Sequence, residues 1–261
     1  MPQAPLQELS ALVLAAGRGQ RMRPLTDHIP KPLLQVRGKS LLLHRLEALA
    51  LGGCKSAVIN TAWLGEQIES ALGPQLQFSH AGDTLAAAVQ TYTLPLAYSR
   101  EGQDFGHALE TAGGVSRALP LLGAAFWVCA SDIFTPGFSF SQSAVQRFLA
   151  SDHLAHLWLV PNPEHHPDGD FGWDSSSALA HNLPKDATQA RWTYSGIGLF
   201  RRDLFLPPWC TIPPGNPEGT VLALGGLLRS AMDQGRVSAE LYRGAWTDVG
   251  SPQRLQELQQ I

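Results

Sequence analysis

Cysteine is scarce in this chain: three among 261 residues, at Cys54, Cys129 and Cys210. The count is odd and the spacing wide, so no disulfide framework can be drawn and no pair has metal-ligand spacing. A reducing compartment is the natural setting. Cys54 and Cys129 lie in apolar runs and read as core residues. Excess positive charge is also missing. The net charge is -3, so no overall field draws the chain to nucleic acid or acidic lipid, and any phosphate must be met by a local group of cations. No apolar run approaches the length of a membrane span. Residues Met1 to Ser10 carry no basic segment followed by an apolar stretch, which argues against a signal peptide. They read as an N-terminal extension, 1–10, to a single domain over 11–261, and the expected location is cytoplasmic. There is no internal repeat and no stretch with the composition of an interdomain linker. With 44% hydrophobic residues, the chain can bury a core without staples.

What is present is an alternation of short apolar runs and helical periods. Leu9 to Ala15 is apolar and halts at Gly17, as a buried strand does. Ser40 can cap a helix with Leu42, Leu43, Leu46, Leu49 and Ala50 on one face, ended by Gly52 and Gly53. Ser56 to Asn60 reads as a strand and Trp63 to Leu72 as a helix. Glu110 to Leu122 reads as a helix and Ala124 to Ala130 as a strongly apolar strand. Later strands are expected over His153 to Val160, Arg191 to Phe200 and Val237 to Trp246, with helices over Gly219 to Gln234 and Pro252 to Gln260. Strands alternating with helices favour an α/β fold with a mostly parallel central sheet flanked by helices. Ala81 to Tyr92 has no firm period, and Asp168 to Ala190 looks like an excursion over the substrate side.

The segment Leu14 to Thr26, followed by Pro30-Lys31-Pro32-Leu33, carries the most chemistry. Ala16, Gly17 and Gly19 let backbone approach a ligand and turn N–H groups inward. Arg18, Arg21 and Arg23 concentrate positive charge, with Gln20 among them, and Lys31 sits between two prolines on a stiff segment. Such a concentration of charge suits a triphosphate. No Gly-Lys-Ser/Thr closes the loop, so it is not a Walker A loop. Met22 stands where a third glycine would complete a dinucleotide fingerprint. Read in order, Leu-Ala-Ala-Gly-x-Gly-x-Arg-Met-x-Pro-Leu-Thr and Pro-Lys-Pro-Leu resemble the signature of the sugar-phosphate nucleotidyltransferases. The resemblance runs, with gaps, from Ala11 to about Leu255 and implies a Rossmann-like nucleotidyltransferase fold. It also implies that Gly17 to Arg21 wrap the nucleotide phosphates and that Lys31 contacts the reacting ones.

Two carboxylates follow apolar stretches. Asp132 comes after the run Phe126 to Ala130, and Asp248 lies in Trp246-Thr247-Asp248-Val249-Gly250. In parallel α/β sheets ligands collect beyond the carboxyl ends of strands, and two carboxylates from distant sequence suit Mg²⁺. Taken singly, each also reads as a cap or turn former. The resemblance aligns Asp132 with the family's Ala-Asp or Gly-Asp motif and Asp248 with Trp-x-Asp-x-Gly, and implies that both hold Mg²⁺.

Leu109-Glu110-Thr111-Ala112-Gly113-Gly114 precedes a helix, and the family places this stretch, Gly113 included, beside the nucleobase. Asn162 to Phe171 resembles Asn-Pro-x-His-His-x-x-Gly-Asp-Phe of the N-acetylmuramate-1-phosphate uridylyltransferases of bacterial cell-wall recycling. Thr193 to Ile197 and Tyr242 to Gly250 agree with that subfamily. By resemblance Asn162, Asp170, Ser195 and Gly196 line the sugar site. His165 and His166 read as packing or turn residues, because neighbours on a loop point apart and no third ligand has suitable spacing. Ala223 and Gly226 stand where compact members carry Lys and Pro, and Ala81 to Tyr92 resembles an insertion. The resemblance thus implies a Mg²⁺-dependent enzyme whose partners are UTP and a sugar 1-phosphate, with Lys31, Arg21, Asp132 and Asp248 as catalytic residues. Mannose or glucose 1-phosphate with GTP or dTTP, and a catalytically silent nucleotide-sugar sensor, are the alternatives.

Overall fold

Both faces of the first strand are covered, and this sets the architecture. In β1 (Ser10–Ala15) successive side chains point to opposite faces. Leu12 joins one core with Phe126 and Val128, while Val13 joins another with Ile59, Trp127 and Cys129. A strand buried on both sides reads as a continuous apolar run, which is why Leu9 to Ala15 was visible in the sequence. The computed structural model describes residues 9–80 and 89–260. Most of the N-terminal extension and most of the Ala81 to Tyr92 stretch lie outside these residues.

After β1 come the short pair β2 (Gln35–Val36) and β3 (Lys39–Ser40), α1 (Leu41–Leu51), β4 (Ser56–Thr61), α2 (Gly65–Leu72), β5 (Gln75–His80) and β6 (Gln90–Arg100). Then follow α3 (Glu101–Phe105), α4 (Glu110–Ala118), β7 (Ala125–Ala130), β8 (Ile133–Phe134), α5 (Gln142–Ala150) and β9 (Ala155–Val160). The last part holds β10 (Phe171–Asp174), β11 (Leu179–His181), β12 (Arg191–Arg201), α6 (Leu224–Met232), β13 (Val237–Leu241), β14 (Thr247–Asp248) and α7 (Pro252–Gln260). One ten-stranded sheet in the order β10-β11-β13-β9-β12-β7-β1-β4-β6-β5 runs through both halves, so they share one domain. α1, α2 and α5 cover one face, and α4 and α6 the other.

The expectation of a mostly parallel sheet is corrected: the sheet is mixed. β7-β1-β4-β6 form a parallel block, and β13 is parallel to β9. β12, however, runs antiparallel between β7 and β9, and β10, β11 and β5 also pair antiparallel. A parallel pair needs a crossover of about a dozen residues or more, usually helical. The described links from β9 through β12 contain no helix. The stretch Asp168 to Ala190, read as an excursion, supplies two short antiparallel strands at that end of the sheet, β10 and β11.

Other boundaries moved for local reasons. Ser40 does cap α1, its Oγ accepting from Leu43 N at 3.2 Å. α2 starts at Gly65 because Leu64 has a positive φ of 53°. α4 tightens into a 3-10 turn at Leu119–Leu121, where Pro120 cannot continue the hydrogen bonding. α6 begins only at Leu224, since residues 219–223 pair backbone with α4, Leu222 O accepting from Ala112 N and Gly113 N. Cys54 and Cys129 are buried as expected, and burial pushes both thiols up to about 12. Cys210 is buried too. No helix among the described residues is long and apolar enough to cross a membrane.

A third, small core bears on function. Met22, Leu34, Val36, Leu41, Phe134, Val249, Leu255 and Leu258 pack together. This cluster ties the basic loop, β8, the turn after β14 and α7 into one unit. Met22 stands in for a glycine because it is a core residue, fully buried.

The end of α1 leans on the chain that follows β8. A Cβ added at Gly52 would lie 2.6 Å from Phe140 Cβ and closer still to the Phe140 carbonyl. Gly52→Ala should therefore destabilise the fold by about 1–3 kcal/mol, as overpacking does. The shift of the urea midpoint at constant slope measures it, and an unchanged midpoint would show that α1 and the 138–140 segment separate freely.

Candidate functional site

The parallel strands end around a cleft of about 300 Å³. Leu14, Ala15, Ala16 and Gly17 lead out of β1, Asn60 stands next to last in β4, before Thr61, and Ala130, Ser131 and Asp132 leave β7; all line this cleft, with Ala108, Glu110 and Thr111 before and within α4. Ligands collect at such a position in α/β sheets because strand ends and helix starts leave backbone groups pointing outward. Ser131 fixes one wall to the next, donating from both N and Oγ to Leu14 O.

The basic loop is built around Gly19, whose φ is 63°. A Cβ there would meet Thr26 Cγ2 at 3.0 Å and Lys31 Cβ at 3.2 Å. Thr26 Oγ1 donates to Gly19 O at 2.8 Å, and Trp63 Nε1 donates to Thr26 O at 2.8 Å. Arg18 lies 4.4 Å over the Trp63 ring. Ala16, Gly17 and Lys31 line the cleft. Arg18, Gln20 and Arg21 are exposed on the same loop beyond it, and Arg23 pairs with Asp27.

Lys31 is buried, and its Nζ donates to Asp132 Oδ2 at 2.5 Å. A buried ammonium without a carboxylate would be strongly disfavoured, so this pair fixes where both side chains sit. Asp248 arrives beside it through the β8–β14 ladder, in which Asp248 pairs with Ile133 and Val249 N donates to Asp132 O at 3.0 Å. The backbones of the two acidic residues expected to act together are thus neighbours, Asp132 preceding β8 and Asp248 ending β14. Behind them Arg45 is buried, donating to Ile133 O at 2.8 Å and Thr135 Oγ1 at 3.1 Å. Desolvation lowers its pKa, while the nearby Asp132 charge is among the groups that raise it.

Asp248 lines a second cleft, of about 650 Å³, with Pro163, Glu164, His165, Trp246, Gln253 and Arg254 on its walls. Arg254 Nη1 donates to Asp248 Oδ2 at 2.9 Å and to Asp248 O at 2.8 Å, and His165 Nε2 lies 3.3 Å from Asp248 Oδ2. Asp132 Oδ1 and Asp248 Oδ1 have no hydrogen-bond partner among the described residues. Carboxylate oxygens left open in this way are hard donors of the kind Mg²⁺ takes one or two at a time, with water and phosphate completing its shell. Among the described residues no group of three or more His, Cys, Asp or Glu could hold a metal by itself.

The other residues expected at the sugar site sit close by but face inward. Asn162 donates to Pro167 O and Arg191 O and accepts from Thr193 Oγ1. Asp170 accepts from Tyr194 N at 2.8 Å and meets His166 at 3.1 Å. Both side chains hold the loop against β12, with neither on the wall of the second cleft. Ser195 is buried and gives its carbonyl to Trp246 Nε1 at 3.0 Å, while Gly196 forms a positive-φ bulge against Ala130. Gly113 does not face the first cleft. Its Cβ position points at Thr220 O and Leu222 N, so it is a packing glycine between α4 and the chain before α6. Ala223 and Gly226 are exposed and line neither cleft.

Three charged or titratable residues that line the clefts carried no signal of it in the sequence. His165 was read as packing, because the carboxylate it meets lies 83 residues later in the chain. Arg254 gave no signal, since its position on the first turn of α7 is ordinary for a surface arginine. The third, Glu101, is fully buried in the first cleft's wall. Its carboxylate accepts from Asn60 Nδ2 at 2.7 Å and Leu109 N at 2.8 Å, while Asn60 Oδ1 accepts from Ala15 N at 2.7 Å. This relay joins the start of the basic loop to the chain before α4.

Strand ends, a buried lysine and Asp132 thus line the first cleft, and Asp248 lines the second. The chain belongs to the nucleotidyl transferase family, whose model matches residues 10–261. It is 41% identical over 255 residues to the N-acetylmuramate alpha-1-phosphate uridylyltransferase of Neisseria meningitidis serogroup B, covering 97% of this chain and 98% of that protein. To the enzyme of the same name from Caulobacter vibrioides it is 30% identical over 251 residues, covering 93% and 92%. The inositol-1-phosphate CTP transferase of T. maritima superposes with a TM-score of 0.66 at 18% identity, over 97% of this chain and 96% of that one, and so shares the fold.

Two consequences follow from the packing here. A Cβ at Gly250 would lie 2.8 Å from Arg254 Nη2 and 3.0 Å from both Asp248 carboxylate oxygens. Gly250→Ala should displace Asp248 and lower turnover at least about tenfold, with little change in melting temperature; full activity would mean that Asp248 tolerates the shift. Burial holds the Glu101 carboxyl above its ordinary range, against the N–H donors of Leu109 and Asn60. The folded protein then binds that proton more tightly than the unfolded chain, whose value is about 4.3. Its stabilising contribution is full below that value and is lost as pH rises through the folded one. Urea midpoints of wild type minus Glu101→Gln should accordingly decline as pH rises from about 4. A flat difference would show that Glu101 titrates alike in both states.

Proposed function

We propose that the protein transfers a uridylyl group from UTP to N-acetylmuramate 1-phosphate, giving the UDP-sugar and pyrophosphate in peptidoglycan recycling. The observation that supports this reading is the buried Lys31–Asp132 ion pair on the wall of the first cleft, with the Asp248 backbone brought alongside by the β8–β14 ladder. The identity to the two uridylyltransferases over nearly the whole chain supports the choice of substrates.

In the proposed reaction a phosphate oxygen of the sugar 1-phosphate attacks the α-phosphorus of UTP. A new P–O bond forms, the bond from the α-phosphorus to the bridging oxygen breaks, and pyrophosphate leaves with that electron pair. The nucleophile is already an anion, so no general base is required and no covalent enzyme intermediate forms. The chain's task is to position the reactants and neutralise charge. The backbone of Ala16 to Gly19 receives the phosphates, and Lys31 faces the reacting group. Arg21, exposed on its turn, meets the leaving pyrophosphate. Asp132 and Asp248 would hold Mg²⁺, which when bound supplies Lewis-acid charge neutralisation. Ala108, Glu110 and Thr111 form the wall for the base, and Asn162 and Asp170 act on the acceptor side by holding its loop in place.

The test is pyrophosphate release over a grid of UTP, CTP, GTP and dTTP against N-acetylmuramate, N-acetylglucosamine, glucose and mannose 1-phosphates. UTP with N-acetylmuramate 1-phosphate should give the highest kcat/KM, and chelation should abolish turnover until Mg²⁺ is restored. A maximum with GTP or dTTP and a hexose phosphate would replace the substrates, and binding without turnover would make the protein a sensor. Asp132→Asn and Asp248→Asn should each cost at least about a hundredfold in kcat with the circular dichroism spectrum retained. Lys31→Ala should slow the chemical step in single-turnover experiments; a change in sugar affinity alone would contradict its role.

A further inference from the structure

We infer that His165 and Arg254 form the subsite for a second negative group on the acceptor, the lactyl carboxylate that distinguishes N-acetylmuramate from N-acetylglucosamine. The inference rests on the acceptor proposed above and deepens it. The second cleft, at about 650 Å³, has room for a whole substituted monosaccharide. Lys31, the buried cation paired with Asp132, lines the first cleft, where the transfer takes place. Arg254 and His165 line the second, so they are available to a part of the sugar remote from the reacting phosphate.

The donors left open there match a carboxylate. A guanidinium carries five N–H groups in a planar fork, suited to two parallel bonds to one carboxylate. Arg254 spends Nη1 on Asp248 and His165, and Nε makes a 3.4 Å contact with Ser251 Oγ. Nη2 has no hydrogen-bond partner among the described residues. His165 Nε2 lies 3.0 Å from Arg254 Nη1. Accepting from that donor places the ring proton on Nδ1, which also has no partner among the described residues. Glu164 and Glu257 line the same cleft but are exposed, and Glu257 accepts from Gln253 Nε2 at 3.0 Å. They repel an acid that fails to reach the Arg254 guanidinium and the His165 N–H, which sharpens the choice of orientation. Trp246, held to Ser195 O, supplies the apolar wall against which a sugar ring can rest.

The discriminating measurement is the ratio of kcat/KM for N-acetylmuramate 1-phosphate to that for N-acetylglucosamine 1-phosphate, with UTP. Wild type, His165→Ala, Arg254→Gln and Arg254→Lys are compared. Wild type should prefer the lactyl sugar at least tenfold, His165→Ala and Arg254→Gln should each lose most of that preference, and Arg254→Lys should keep part of it. Because the ratio cancels any common damage through Asp248, parallel losses on both sugars would overturn the inference and leave the pair as holders of Asp248 or of the phosphate. A wild type indifferent to the lactyl group would overturn it as well. Exposed His165 offers a variant that folds should Arg254→Gln fail to do so, and titration calorimetry of N-acetylmuramate 1-phosphate reads the same contact without turnover. If wild type uses neither sugar but turns over a hexose phosphate, the proposed acceptor itself falls, an outcome distinct from the others.

Discussion

The ion pair between Lys31 and Asp132 organises the rest of the molecule. A lysine nine-tenths removed from water must have its charge met, and the 2.5 Å contact joins positions 101 residues apart. Each partner is fixed from behind. Lys31 stands between prolines on a loop with room for its Cβ only because Gly19 has none. Asp132 follows a strand at the centre of the sheet and leads into the short ladder that brings Asp248 alongside. Removing either charge would leave the other uncompensated in the wall of the first cleft.

The mixed sheet divides the work. The parallel block β7-β1-β4-β6 ends at the first cleft, in the manner of nucleotide-handling α/β sheets, and the Asn60–Glu101 relay braces its floor. The second cleft is bounded by the loop after β9, the chain around β14 and the start of α7. β12 belongs to both regions: it pairs with β7 on one side and β9 on the other, and its bulge at Gly196 packs against Ala130. Geometry at the two clefts is thus referred to one continuous backbone.

Local features were the ones the sequence made legible. The apolar run before Gly17, the Ser40 cap, the glycine end of α1 and the carboxylates after apolar stretches are all set by neighbours within a few positions, and each stands where its pattern places it. What escaped depends on partners far along the chain. Nothing within the stretch 168–190 announces that it closes the sheet edge antiparallel. Gly113 and Gly114 look alike in sequence, yet the Cβ position of one points at Thr220 and of the other at Glu101, because a helix turns successive residues through 100°. Asn162 and Asp170 lie in the expected region but face the backbone they support. His165 and Arg254 became functional candidates only when Asp248 was seen between them.

The last helix has an unusual pair of duties. Leu255 and Leu258 on its inner side complete the small core that also holds Met22 of the basic loop, and Arg254, one position earlier, grips the far carboxylate. One short helix therefore fixes both the seat of the basic loop and the place of Arg254 beside Asp248, so a substitution on its buried side would be felt at both.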